Sequence, residues 1–484
     1  MMTWMPLAIA VVAFALKWIQ RRRTGPLQSL SSSSLIEVHR TEPWKTYQRW
    51  SHKWGSIICF RQFGRDIVVV NGARAAANLL EKRSKIYADR PTWPMVDLIG
   101  RQDNVGFTYY GQNLKASRKL LHAALNPGAR SRWGPLLEQE TLAVVKHLLD
   151  CPNDWENLVK KHVASVAVRF TYGTDVTEDY VHLAEEINAH TGMALQPGWI
   201  VDSIPFLAIL PAWLPGMGFK KWAHFARTKF YKCTQEPYFL TRAAVLSGSA
   251  RSSFVADNLN SVLANSLSVD ETILMRTAGS VYGAATDTTI ALLRSFILLM
   301  TVFQDVQEKA YSEISSVVGH GRLTVLEDQS SLPYIEALIK ELHRFNPVIN
   351  LVPHSPTQDD EYEGCHIPRK AWVMCNVWSM THDSNVYSDV DVFDPERHLY
   401  EHVKDPRDFT FGFGRRSCPG IHFANAETFL FVTRVLALFQ ILPDVDADGV
   451  ESIPPLSYKT AFTSQPMPFI CRFRIRDPEL VVLL

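Results

Sequence analysis

Ten consecutive residues, Phe411-Gly412-Phe413-Gly414-Arg415-Arg416-Ser417-Cys418-Pro419-Gly420, set a single cysteine in a glycine-rich loop that opens an apolar, helix-forming run. A thiol so placed can ligate a metal as its thiolate. Gly412, Gly414 and Gly420 let the backbone turn tightly and approach a flat partner, and Pro419 suits a first helical turn, where its missing N–H costs nothing. The N–H groups opening the next helix, with Arg415 and Arg416 alongside, are expected to lower the thiol pKa and favour the thiolate. A buried structural thiol is the plainer use, since free cysteine is among the most buried residue types.

The spacing Phe-x-x-Gly-x-Arg-x-Cys-x-Gly resembles the haem-ligand loop of the cytochrome P450 family, with Phe411, Gly414, Arg416, Cys418 and Gly420 at the five fixed positions. Zinc and iron–sulfur sites want three or four Cys or His ligands at short spacing, and no second cysteine lies near Cys418. The resemblance implies haem b (iron protoporphyrin IX), with Cys418 as axial ligand and Phe411 and Gly412 among the cofactor-binding residues. It implies cations for the two propionates at Arg118, at Arg416 and at His354, which follows Val352-Pro353. The family usually has tryptophan four residues before Arg118, where this chain has Leu114, so one propionate is expected to be held less firmly.

A second segment, Ala284-Ala285-Thr286-Asp287-Thr288-Thr289, resembles the family's oxygen-activating segment, with Ala285 where glycine is usual. A hydroxyl beside a carboxylate can pass protons to reduced dioxygen, so Thr288 is expected as the hydrogen-bond donor and Asp287 as the relay. The plainer use is that Thr288 bonds the carbonyl four residues back and Asp287 is solvated. Thr277, Ser280 and Ala284 share a helical stripe with Thr288, and Gly283 adjoins it. These small side chains either leave a roomy pocket or let a neighbouring helix pack closely. Glu341 and Arg344, three apart, with Arg397 of Phe393-Asp394-Pro395-Glu396-Arg397, resemble the family's Glu-Arg-Arg cluster. Glu37 and Arg40 show the same spacing and serve as its control.

Helices must position most of these groups. From Leu114 to about His343, apolar residues recur every three or four positions, and the proline-free run Asp270 to Phe303 is long enough to cross a domain. Ile57 to Phe60 and Ile67 to Val70 flank Gly64 as an antiparallel hairpin, and strand-like pieces return at Tyr362 to Ile367 and Phe469 to Ile475. The expected fold is mainly α, cytochrome P450-like, with a small β-rich lobe and an N-terminal transmembrane helix. Trp199 to Trp222 is apolar and broken by Pro205, Pro211 and Pro215, which suits either a membrane-facing entrance loop or core packing.

The 484 residues carry a net charge of +1, and nothing points to nucleic acid. Seven scattered cysteines fit reduced thiols in a cytosol-facing domain better than a disulfide framework. Met1 to Leu16 is almost wholly apolar and is followed by Arg21-Arg22-Arg23. With every charge after the apolar run, an uncleaved anchor is favoured over a signal peptide, with the rest of the chain cytosolic. The expected organisation is a membrane anchor over 1–23, a tether over 24–43 with a short Gly25-Pro26 hinge, and a catalytic domain over 44–484. Residence in the endoplasmic reticulum membrane follows, in contact with lipid.

What the resemblance implies is a haem-thiolate monooxygenase. It would place one atom of O2 into a C–H bond of an apolar small molecule, a terpenoid or other secondary metabolite. Electrons would come from a separate NADPH-dependent cytochrome P450 reductase, because the chain has no flavin or nicotinamide fingerprint. A fatty-acid or xenobiotic hydroxylase of the same family, a non-catalytic haem-binding sensor and a reductase-independent peroxide-rearranging enzyme are the alternatives.

Overall fold

A computed structural model describes residues 42–482, apart from residues 63, 197, 265, 267, 268, 401, 447 and 461. The anchor, most of the tether and the Glu37/Arg40 control therefore lie outside the described residues.

The proline-free run forms one helix, Glu271–Val302, about 48 Å long at 1.5 Å per residue. Asp270 caps it, its carboxylate accepting from the Thr272 N–H at 2.7 Å. Its C-terminal half, Thr289 to Thr301, is buried on every face. This half runs through the main apolar core together with the helices Trp155–Tyr172, Pro333–Phe345 and Ile421–Leu438. Glu271–Val302 and Ile421–Leu438 are each long and apolar enough to cross a membrane. Their burial inside the protein accounts for that composition.

The expected hairpin is present as β1 (Ile57–Gln62) and β2 (Arg65–Val70), paired antiparallel with Ile57 opposite Val70. A sheet of order β1-β2-β6-β3 follows, with β6 (Trp372–Asn376) parallel to β2 and β3 (Leu351–His354) antiparallel to β6. Alternate β2 and β6 residues, Val68, Val70, Val373 and Cys375, form a second small core with Leu79 and Leu80. The strands β4 (Asp360–Tyr362) and β5 (Cys365–Ile367) make a short hairpin. The remaining strands form two further small sheets, β7 (Phe439–Val445) with β8 (Glu451–Ser452) and β11 (Cys471–Ile475), and β9 (Tyr458–Thr460) with β10 (Ser464–Pro466).

One expectation fails here. Cys59 in β1 and Cys365 in β5 are joined by a disulfide, their Cα atoms 6.8 Å apart. The β4–β5 hairpin folds back onto β1, so two cysteines 306 residues apart in sequence meet. Cys151, Cys233, Cys375, Cys418 and Cys471 are free thiols.

Trp199 to Trp222 divides between core packing and exposure. Trp199 stacks on Trp222 at 5.2 Å and packs on a small core, whereas Ile204, Phe206, Ile209 and Trp213 between them are exposed, Trp213 by 79%.

Candidate functional site

The cysteine loop and the middle of the long helix face one another across an internal cavity, lined on one side by Cys418, Pro419, Gly420 and Phe411 and on the other by Ala284, Ala285 and Thr288. The loop is closed by the Cys418 N–H donating to the Phe411 carbonyl at 2.7 Å. Gly412 sits at φ +75°, where a side chain is strained, although it does not reach the cavity wall. Gly414 is required for a different reason from the one expected. A Cβ there would lie 2.2 Å from the Leu80 carbonyl oxygen, so it is the backbone of the 77–82 segment that comes close. The helix itself starts at Ile421, with Gly420 as its N-cap and Pro419 in the turn before it.

Cys418 has surface exposed to the cavity, yet it is buried from bulk solvent by the protein around it. Burial governs its chemistry: desolvation pushes the thiol pKa up, while the Gly420 N–H and the charge of Arg118 pull it down. The expectation of a thiolate favoured by Arg415 and Arg416 is thereby corrected. Arg415 donates outward to the Tyr110 hydroxyl at 2.9 Å, and Arg416 donates to the carbonyls of Ala88 at 2.6 Å and Thr108 at 2.6 Å. The cation that acts on the sulfur is Arg118, from the helix Gln112–Leu125, which donates to the Ser417 carbonyl at 2.9 Å.

Three arginines line the cavity near the loop: Arg118, Arg416 and Arg90, the last not anticipated from sequence. Arg90 donates to the Gly106 carbonyl at 2.8 Å and to the Pro353 carbonyl. Among the described residues none of the three forms a salt bridge. Burial and mutual repulsion hold Arg416 down at about 8 and Arg90 down at about 10, and burial also lowers Arg118. Asp89 offsets Arg90 and Arg416 only through its field, and a desolvated cation cluster with no carboxylate at salt-bridge distance is costly. A dianionic group meets that need, as does a metal cation for the desolvated thiol, so the residues present fit a haem. His354 fits less well. Its Nδ1 lies 2.9 Å from the Tyr87 carbonyl and must donate to it, so in the neutral ring Nε2 can only accept. Burial and the charges of Arg90 and Arg416 hold His354 near 3, hence neutral, and it is not among the cavity-lining residues.

On the opposite wall the small-residue stripe divides. Thr277 donates to Ser117 Oγ at 2.8 Å, and Gly279 lies so close to Thr234 that a Cβ would meet it at 2.6 Å, so this end packs against protein. Ser280, Gly283, Ala284 and Thr288 face the cavity. Thr288 Oγ1 donates to the Ala284 carbonyl at 2.8 Å, the plainer use, while the side chain still borders the cavity. Asp287 turns away. It accepts from Thr463 Oγ1 at 2.7 Å and Gln465 Nε2 at 2.9 Å, and burial raises its pKa against the opposing effect of those bonds.

Two buried groups support or border the site. Glu341 accepts two 2.8 Å bonds from Arg344, one of 3.3 Å from Arg397 and one of 2.9 Å from His398, the last unforeseen. Burial alone would raise its pKa, but these partners hold it below the usual carboxylate range. Glu427 lines the cavity with Oε1 lacking any partner, and burial pushes it up to about 8. His162 Nε2 is 3.7 Å away but burial holds that ring near 4, so the two are neutral neighbours and not an ion pair. The sequence signal was a lone glutamate within Ala426-Glu427-Thr428-Phe429-Leu430.

The family model described as cytochrome P450 matches residues 27–471. The chain is 36% identical over 482 residues to cytochrome P450 monooxygenase 105 of Postia placenta, covering 97% of this chain and 92% of that protein. It is 32% identical to cytochrome P450 monooxygenase claT of Ampulloclitocybe clavipes, covering 99% of this chain and 97% of that one. Among solved structures, a zebra fish cytochrome P450 with progesterone superposes with a TM-score of 0.76 at 21% identity, covering 90% of this chain and 99% of that chain. That likeness bears on the fold.

Proposed function

The chain belongs to the cytochrome P450 family of haem-iron monooxygenases, and on that premise we propose that it inserts one atom of O2 into a C–H bond of a largely apolar secondary metabolite. We assign the cofactor as haem b and the electron donor as a separate NADPH-dependent reductase. Bound haem supplies the iron centre at which dioxygen is reduced and cleaved. The observation that carries the reading is the cavity itself, which sets Cys418 opposite Ala284 and Thr288 with three unpaired arginines at its edge.

In this reading Cys418 would hold the haem iron through its sulfur, and the Gly420 N–H and Arg118 would share the negative charge there. Arg90, Arg118 and Arg416 would hold the two propionates, and Phe411 would cover the cysteine side. Thr288 turns its hydroxyl from the Ala284 carbonyl into the cavity to hold a proton donor near the reacting oxygen. Asp287 exchanges its bond to Thr463 or Gln465 for water and replenishes that proton. The apolar walls and the small Ala284 exclude bulk water while leaving room above the cysteine loop. Residues 1–23 anchor the protein in the endoplasmic reticulum membrane, and exposed Ile204, Phe206, Ile209 and Trp213 rest against lipid.

Cys418→His in the full-length protein tests the assignment. The reduced, carbon-monoxide-bound wild type is expected to show the absorption band diagnostic of thiolate ligation and the variant to lose it. A normal band in the variant overturns Cys418 as ligand. NADPH consumption with reductase, stimulated by substrate, separates turnover from a sensor role. The resting bonds of Thr288 and Asp287 are those a sensor would also have.

A further inference from the structure

A fourth arginine lines the same cavity away from the other three. Arg101 lies in the short segment Arg101–Asp103 and is only 4% exposed. Its Nε donates to Thr191 Oγ1 at 2.7 Å and its Nη2 to the Ile187 carbonyl at 3.1 Å, both on the helix Glu178–Leu195. The guanidinium lies over the Phe230 ring, 4.7 Å from its centroid. These contacts fix its plane and leave Nη1 without a hydrogen-bond partner among the described residues, on a group that borders the cavity.

No carboxylate pairs with Arg101 among the described residues. Asp103, two positions on, is engaged with Arg276 at 3.2 Å and with the Tyr231 hydroxyl at 3.0 Å. Asp287 contributes only through its field, its two oxygens being held by Thr463 and Gln465. Arg118 depresses Arg90, and Arg90 and Arg118 together depress Arg416, whereas none of these three acts on Arg101. The haem propionates that would satisfy the first three therefore do not account for the fourth. Burial holds Arg101 down at about 10, still charged at neutral pH. Asn104 and Asn188 flank it on the cavity wall, and the Asn104 Nδ2 lies beside Gly283. The surrounding wall is otherwise mostly apolar, with Phe107, Leu121 and Phe462.

We infer that Arg101 is a substrate-anchoring residue and that the native substrate carries a carboxylate on an otherwise apolar skeleton. The carboxylate would pair with Nη1, the Asn104 and Asn188 amides would donate to its remaining lone pairs, and the apolar body would lie toward Ala284. This inference rests on the monooxygenase reading and narrows its substrate class. A purely structural Arg101, tying its loop to the helix Glu178–Leu195, would affect acids and esters alike.

The test is spectral titration of the haem-loaded full-length protein with matched pairs of acid and methyl ester on three skeletons: a tricyclic resin acid, dodecanoic acid and 1-naphthoic acid. At least one acid is expected to bind about tenfold more tightly than its ester, in keeping with a charge-assisted hydrogen bond. Arg101→Gln should erase that ratio and Arg101→Lys should restore part of it, with the carbon-monoxide band unchanged in both. A preference for the resin or naphthoic acid marks a bulky rigid substrate, and for dodecanoic acid a slender one. No acid preferred over its ester in any pair, including no binding at all, overturns the inference, as does a ratio that survives Arg101→Gln. If Arg101→Gln fails to take up haem, the wild-type ratios decide alone. Absence of the carbon-monoxide band in the wild type would instead sink the monooxygenase reading.

Discussion

Two sets of buried arginines in this protein are built on opposite plans. Arg344 and Arg397 close on Glu341 with His398, and their remaining donors end on backbone carbonyls, those of Val390 and Val392 for Arg344 and those of Ser388, Val392 and Asp394 for Arg397. Arg90, Arg101, Arg118 and Arg416 line a cavity with no salt bridge among the described residues. A closed network is complete in the folded chain, and its energy goes into holding the cysteine loop's surroundings in place. An open set is complete only when an anion arrives, so its energy is reserved for a ligand. Desolvated arginines thus separate into structure and function once counter-charges are traced.

The comparison is broken most severely at its closed end. Glu341→Gln leaves two buried cations, Arg344 and Arg397, without the one carboxylate they share, typically ~3 to 5 kcal/mol. The variant is expected to unfold at much lower denaturant concentration and to retain little haem. Wild-type stability and haem content would place the cluster with ordinary surface pairs. Arg344→Ala should behave likewise, and substitutions at Glu37 or Arg40 should not.

At the open end the expectation reverses. Arg118→Gln removes one bond to the Ser417 carbonyl, about 1 kcal/mol, so apo-protein stability should change little. Haem should nevertheless dissociate on the order of ten times faster, for want of a charge-assisted propionate bond. Loss of apo stability equal to that of Glu341→Gln would erase the distinction between the two sets.

Thr288→Ala sharpens the reading of the wall facing the cysteine. Haem and substrate binding should persist while reducing equivalents pass to hydrogen peroxide, with product per NADPH falling several-fold. Unchanged coupling would mean that the Ala284 bond is all Thr288 does.

Glu427 offers the most pH-dependent effect. Its carboxyl stays protonated in the folded protein up to about 8, whereas the unfolded chain releases that proton near the ordinary carboxylate value. Raising the pH between those limits therefore favours unfolding: the penalty is absent below both values and complete above about 8. Glu427→Gln escapes it, so its stability advantage should grow from pH 5 to 8, by at most a few kcal/mol on the order of 1.4 per pKa unit. An advantage independent of pH would mean that Glu427 is ionised and paired with a charged His162.

Ala284→Phe bears on the substrate side alone. It should cut turnover of a bulky substrate while sparing carbon-monoxide binding, and undiminished turnover would show that the pocket is not filled there.

The features legible in the sequence were those set by neighbours along the chain. The Cys418 loop depends on glycines and a proline within ten residues, and the long helix on the Asp270 cap and an uninterrupted run. The β1–β2 hairpin turns at Gly64. Glu341 and Arg344 meet because three positions is less than one helical turn. The tertiary structure decided everything that depends on distance in space. It joined Cys59 to Cys365, turned Asp287 toward Thr463 and Gln465, made the Cys418 thiol harder to ionise, and brought Arg90 and Arg101 to one cavity from an irregular segment. Local patterning reports only bonded geometry and helical phase. Desolvation and the presence or absence of a counter-charge are set by atoms hundreds of residues away, and at this site they separate a structural arginine from one that awaits a ligand.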